Sequence, residues 1–350
     1  KWVKDNEPEI YSDIYKVMLP GDYIAMKLSD HISTTITGLS EGIFWNFKEK
    51  SISRNVVKEY GFDEEMLPSF QESFSIHAII SDEMADELGI GRGAKISYKA
   101  GDQPNNAFSL NVMEPGEIAA TAGTSGVVYG VVDTLFVDEK QRVNSFAHVN
   151  YENDHERIGV LLCINGVGIS NAWVKRNFGF DDYTQMNSEA DAIDAGADGL
   201  QIFPFGNGTE RMLGNSPIEA SIEGLNYNIH NRGHFARAVQ EGIAFSFAYG
   251  MEAFSEKKIN LQKIKAGLAN MFLSDLFAQI IADIIGVEIE LYNTDGAIGA
   301  ARGALMGGKI LDKEEVFSSL TIQKVYRPQD NSDYPELYEH WKEKLTYKLK

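Results

Sequence analysis

Apolar residues recur at helical spacing in several long stretches of the chain, and between them lie short runs rich in β-branched and small residues. The runs 118–121 and 127–132 predict a pair of strands, and 158–164, 200–203, 264–268 and 287–292 predict four more. A further strand-like run covers 94–100. Helices are expected over 167–178 and 235–254, the second carrying Phe235, Val239, Ile243 and Phe247 at intervals of four on one face. Leu273, Leu276, Phe277, Ile280, Ile281 and Ile284 form a continuous apolar stripe on another helix. A helix over 297–306 follows Asp295, its expected N-cap, and its Gly299, Ala300, Ala301, Gly303 and Ala304 suit close packing. Ser81 and Gly89 are expected to cap and stop a short helix, and 334–349 forms a charged amphipathic helix whose Trp341 points to a packed face. Strands alternating with helices of this length predict an α/β layer fold with a mixed sheet.

At 350 residues the chain is long enough for two domains, and an apolar content of 43% supports real cores. Acidic residues outnumber basic ones by 51 to 32, a net charge of −19. Such a surface argues against nucleic-acid partners and anionic membranes, though a local nest of N–H groups still binds phosphate. No apolar run is long enough for a transmembrane helix, and no signal peptide is visible. The single cysteine, Cys163, lies in the apolar run 158–164 and reads as a buried small hydrophobe in a reducing, cytoplasmic setting. Trp2, Val3, Ile10, Tyr11, Ile14 and Val17 have roughly helical spacing directly after the first residue, Lys1, as though the sequence opened inside a fold element.

Two segments carry candidate chemistry. Gly101-Asp102-Gln103 places a carboxylate in a small-residue turn after the 94–100 run, with Gly101 leaving room for a substrate. About twenty residues later, Gly123-Thr124-Ser125-Gly126 joins two strands. Two hydroxyls between glycines suit a phosphate cradle. A carboxylate near such a cradle can take the proton of a hydroxyl as phosphorus is attacked, a contribution of roughly a hundred- to ten-thousand-fold. Without chemistry, the same residues are a hairpin with a Gly-rich turn and a solvated Asp. The 89–93 glycines precede a strand and read as a turn, and no P-loop sequence or nucleophile elbow occurs. His230 and His234 have Gly233 between them and no Cys partner, so no metal site is expected.

Ala100-Gly101-Asp102-Gln103, then Pro115-Gly116-Glu117 and Gly123-Thr124-Ser125-Gly126, resemble the FGGY carbohydrate kinases, nearest to those acting on xylulose. The resemblance implies two actin-like, ribonuclease-H-like domains with the active site in the cleft between them. Residues 1–96 would be the latter part of the first, sugar-binding domain, 97–322 the nucleotide-binding domain, and 323–350 a tail helix. It implies ATP-dependent phosphorylation of a sugar, D-xylulose to xylulose 5-phosphate, with Asp102 as general base and Asp102 and Gln103 against the sugar. Gly123, Thr124, Ser125 and Gly126 would contact phosphate, Gly168 would line the nucleotide, and Gly267 and Asn270, in Ala266-Gly267-Leu268-Ala269-Asn270, would hold adenosine. Mg²⁺ would arrive with ATP, held by phosphate and water. Glu210-Arg211 resembles the family's Gly-Glu-Arg segment and is read as a structural pair or a domain contact. The resemblance covers the later two-thirds of a family member, so the 350 residues by themselves are expected to turn over no sugar. A homodimer is compatible with this reading. Alternatives are a kinase of another ketose or polyol, a nucleotide-binding module without catalysis, and an actin-like ATPase with no sugar.

Overall fold

The computed structural model describes residues 1–256, 261–330 and 332–350. Seven strands form the central sheet: β1 (Glu117–Ala122), β2 (Gly126–Val132), β3 (Asn144–Ala147), β4 (Ile158–Ile164), β5 (Lys263–Gly267), β6 (Glu288–Tyr292) and β7 (Ile322–Tyr326). Their order is β7-β6-β5-β1-β2-β4-β3. β5 runs parallel to both β1 and β6, and the remaining pairs are antiparallel, so the sheet is mixed as expected. The run 200–203 contributes Gln201–Phe203 to a separate two-stranded sheet with Ser221–Glu223.

β4 corrects one expectation. Its side chains alternate, and Ile158, Val160, Leu162 and Ile164 face the core with no exposed surface. Cys163 therefore falls on the other face and is exposed, not a buried hydrophobe. A continuous apolar run hid the period of two.

Helices beside the sheet and the cavities include α1 (Pro20–Ser29), α2 (Ile36–Glu41), α3 (Asp102–Ser109), α4 (Gly168–Asn177), α5 (Arg232–Glu256), α6 (Asp275–Ile285), α7 (Gly296–Gly307) and α8 (Tyr334–Lys348). α5 is buried almost all round, not only along its predicted face, because it lies between the sheet region and other helices. Ser274 caps α6 through the Phe277 amide, and Gly286, at φ 75°, ends it in the left-handed region. Trp341 of α8 has no exposed surface; its ring stacks on Phe203 at 5.0 Å, and its indole N–H donates to the Ile202 carbonyl at 3.1 Å.

Before β1 the chain forms short elements. The helical spacing over 2–17 breaks into Trp2–Asn6 and Pro8–Ser12, because a residue before proline is driven out of the helical region. Ser81 caps the helix Asp82–Leu88 and Gly89, at φ 67°, stops it. Of the expected strand over 94–100, only Lys95–Ile96 pairs, with Ala78–Ile79. Past Ile96 tertiary contacts take over. Ser97 Oγ donates to the Ala304 carbonyl at 2.8 Å, and Tyr98 packs on α7. The small residues of α7 make that approach fit: a Cβ on Gly303 would lie 2.5 Å from the Tyr98 ring, and one on Gly307 1.7 Å from the Ser97 carbonyl oxygen.

Candidate active site

Asp102 is the first residue of α3, with Gly101 at the N-cap position. A carboxylate there is favoured by the helix dipole. Its Oδ1 accepts from the Gln103 amide at 2.7 Å and its Oδ2 from the Gln103 side chain at 3.3 Å. Asp102 lines a cavity of about 580 Å³ with Asp22 of α1, Thr35, Gly38 and Glu41, Lys99, Asn105 and Ala300 of α7.

Beside Asp102 lies a buried polar web. Lys99 Nζ pairs with Asp22 Oδ1 at 2.9 Å and donates to the Ser33 carbonyl and hydroxyl at 2.5 and 3.1 Å. Thr34 Oγ1 donates to Asp22 Oδ2 at 2.6 Å. Thr35 caps α2 through the Gly38 amide at 3.0 Å. Ser40 Oγ accepts from the Ala147 amide at 2.9 Å, which ties α2 to β3. Glu41, the last residue of α2, lays its carboxyl over Gly101: a Cβ there would meet Glu41 Oε1 at 1.7 Å. The space at Gly101 is thus occupied by the Glu41 carboxyl. Burial, Asp102 and Asp22 push the Glu41 carboxyl up to about 7.

A second cavity, about 170 Å³, is lined by Asn106, Ser109, Thr121, Gly267, Ala269, Asn270, Thr294 and Gly296 among others. It holds both expected adenosine residues, Gly267 and Asn270. α3 and α7 line both cavities, with Asp102, Asn105 and Ala300 in the first and Asn106, Ser109 and Gly296 in the second. A side chain on Gly296 would meet Asn106, and one on Gly299 would meet Ser109 at 2.8 Å, so glycines seat these two helices together.

The Gly123–Gly126 turn joins β1 to β2 with Ala122 opposite Gly126. Gly123 lies next to Asn270, whose side-chain nitrogen would be 3.7 Å from a Cβ on Gly123. Thr124 is exposed and Ser125 half-buried, and neither lines the two cavities. Gly126 is required for packing, since a Cβ would sit 2.6 Å from Phe247. Gly168 serves the hairpin in the same way: its amide donates to the Gly123 carbonyl at 2.9 Å, and a Cβ would lie 2.3 Å from that oxygen. A third cavity, about 530 Å³ around Trp173 and Ile222, contains none of the expected site residues.

Glu210 and Arg211 do not pair with each other. Glu210 is buried and Oε1 accepts from the Asn165 amide at 2.8 Å, while Arg211 donates to Asn144. The ring nitrogens of His230 and His234 are all engaged, by the Asn226 and Asn231 amides and by Asp198. Among the described residues no group of three His, Cys, Asp or Glu is placed to hold a metal, and no helix is long and apolar enough to cross a membrane.

Residues 1–109 match the N-terminal domain of the FGGY family of carbohydrate kinases, and residues 118–308 match its C-terminal domain. The chain belongs to the FGGY family of carbohydrate kinases. The xylulose kinase of Bacillus subtilis (strain 168) is 26% identical over 353 residues, covering 99% of this chain and 70% of that protein. The fold superposes on a ligand-bound xylulose kinase from Lactobacillus acidophilus with a TM-score of 0.89 at 22% identity, over 99% of this chain and 70% of that one. A gluconate kinase from the same organism gives 0.89 at 22% identity, over 99% and 71%. Equal scores for two named substrates mean that the shared fold does not choose between them.

In this family member, the residues that sequence motifs did not mark are Asp22, Glu41, Lys99 and Asn105. Lys99 stands three residues before Asp102 and could have been noticed on that ground. Glu41 is some sixty residues upstream in a segment without a motif, and only the packing of α2 on Gly101 brings it to the site.

Proposed function

We propose that this FGGY kinase transfers the γ-phosphoryl group of ATP to a hydroxyl of a sugar, D-xylulose foremost, with Asp102 as general base. The observation that carries the reading is the place of Asp102: it opens α3 at the rim of a polar cavity, and the same helix runs on to line the glycine-walled second cavity. Asp102 would take the proton of the attacking hydroxyl as the new O–P bond forms and the bond from the γ-phosphorus to its bridging oxygen breaks. Residues up to about 96 would contribute the Asp22–Glu41 wall and the later residues the nucleotide side. The resemblance to the xylulose kinase of Bacillus subtilis supports D-xylulose as the substrate. In an assay coupled to ADP release, the full-length protein should act on D-xylulose faster than on L-ribulose, glycerol or gluconate. Activity on glycerol or L-ribulose with none on D-xylulose would replace the substrate and leave the kinase.

ATP fits the bare surfaces present. Gly267 offers an open face, its nearest neighbour being the Thr294 carbonyl oxygen at 3.4 Å from an added Cβ, and Gly123 is open beside Asn270. ATP supplies the phosphoryl group, and Mg²⁺ would be held largely by phosphate oxygens and water. Gly267→Val would place its Cβ at ordinary contact distance from the Thr294 carbonyl oxygen, on a residue that lines the second cavity. Its ATP affinity should fall at least about tenfold, or about 1.4 kcal/mol, with an unchanged unfolding temperature. An unaltered ATP titration would move the adenosine site elsewhere.

A further inference from the structure

We propose that Glu41 is a second substrate-reading residue of this site, its carboxyl forming a hydrogen bond with a sugar hydroxyl beside the one that Asp102 deprotonates, so that the site selects neutral polyhydroxy sugars over sugar acids. The inference rests on the kinase reading above and adds the substrate class.

α2 is held in place by Leu39 and Ile36 in the core and by Ser40 on the Ala147 amide, so Glu41 is delivered by a fixed element. Its carboxyl is packed against the backbone immediately before Asp102, where any side chain at 101 would collide with it. Oε1 is sealed from solvent and has no hydrogen-bond partner among the described residues. Glu41 is nevertheless only half-buried and lines the 580 Å³ cavity, and its Oε2 is not among the sealed atoms.

The charges around it decide its state. From α1 it faces Asp22, and from α3 Asp102; α7 offers only Ala300. The cation of the cavity, Lys99, already spends its donors on Asp22 and on both oxygens of Ser33. Tyr98 donates to Asn105, and Asn105 in turn donates to the Gly296 carbonyl. Tyr129 of β2, whose hydroxyl is pushed up by burial and by Glu41, is bonded to His148. Burial and two acidic neighbours, with the cation already committed elsewhere, push the Glu41 carboxyl up to about 7, so it is neutral below that pH. Neutral Glu41 then donates while Asp102 accepts, so two hydroxyls are read with opposite polarity. A substrate carboxylate placed here would meet Asp22 and Asp102 with Lys99 already neutralised, a costly arrangement. Above about pH 7 Glu41 loses its proton, becomes an acceptor only, and sugar binding weakens.

The test is steady-state kinetics on the full-length protein with D-xylulose at pH 6 to 8.5, alongside gluconate. For the parent, KM for the sugar should rise at least fivefold across that range, and gluconate should be a poor substrate. Glu41→Ala should raise KM at pH 6 at least tenfold with kcat within about threefold, since the base remains. Glu41→Gln keeps a donor that does not titrate. It should hold KM near the parent's pH 6 value and flatten its rise with pH. An unchanged KM in a folded Glu41→Ala, or a KM in Glu41→Gln that still climbs with pH, would overturn the role of Glu41 while the parent's turnover upholds the kinase. Preference of the parent for gluconate would overturn the selectivity in the same way. A parent that phosphorylates no sugar would overturn the kinase reading itself, and this inference with it.

Discussion

Asp102→Ala in the full-length protein is expected to lower kcat at least a hundredfold, with ATP affinity nearly unchanged. A sugar hydroxyl is a weak nucleophile at neutral pH, and the loss of a positioned base costs roughly a hundred- to ten-thousand-fold. ATP binding should be spared, because the proposed adenosine residues line a different cavity from Asp102. Asp102 lines the larger one, whereas Gly267, Asn270 and Asn106 line the other. The fold should survive because Asp102 is exposed and, among the described residues, its side-chain hydrogen bonds run only to its neighbour Gln103. Single-turnover and ADP-release measurements at saturating sugar would report the change, with an ATP titration as control. A kcat within threefold of the parent would make Asp102 a helix-terminus residue and remove the proposed mechanism.

Trp341→Ala is expected to destabilise the protein by about 3–5 kcal/mol, the usual range for removing a fully buried large aromatic. Trp341 touches Phe203, Phe205, Phe245 and Tyr338, and its N–H is bonded to the Ile202 carbonyl, which would be left without that donor. The neighbouring Tyr334 hydroxyl joins the buried Arg237–Glu241 pair, in which the two side chains are 2.9 Å apart. α8 is therefore a structural cover for α5, and its loss should be felt well away from the site. Urea unfolding followed by far-ultraviolet circular dichroism would measure the effect. Trp341→Phe, which keeps an aromatic ring but not the donor, should fall between the parent and the alanine variant. A change below about 1 kcal/mol for Trp341→Ala, well under the usual range, would mean that α8 is not docked in solution.

Short-range signals in the sequence were sufficient for most of the central sheet and its helices. β-branched runs bounded by glycine placed β1, β2, β4, β5 and β6 within a residue or two, because strand pairing there obeys local patterning. The caps at Ser81, Gly89 and Asp295 were equally legible, since a cap is a bond between residues a few positions apart. The family and the Gly101-Asp102-Gln103 and Gly123–Gly126 segments were visible for the same reason: each is a contiguous string.

What the chain could not disclose in one dimension depends on packing between distant segments. The face of β4 that carries Cys163 was hidden by an unbroken apolar run, and only pairing with β2 and β3 assigned its two sides. The 94–100 strand was cut short because Tyr98 and Lys99 found partners on α7 and α1. The glycines at 101, 126 and 168 read in sequence as site residues, and the structure adds that their missing side chains make way for Glu41, Phe247 and the Gly123 carbonyl. Most consequential is Glu41. Its proximity to Asp102 and its raised proton affinity come from burial and neighbouring charge, which exist only once α2 is folded against the start of α3.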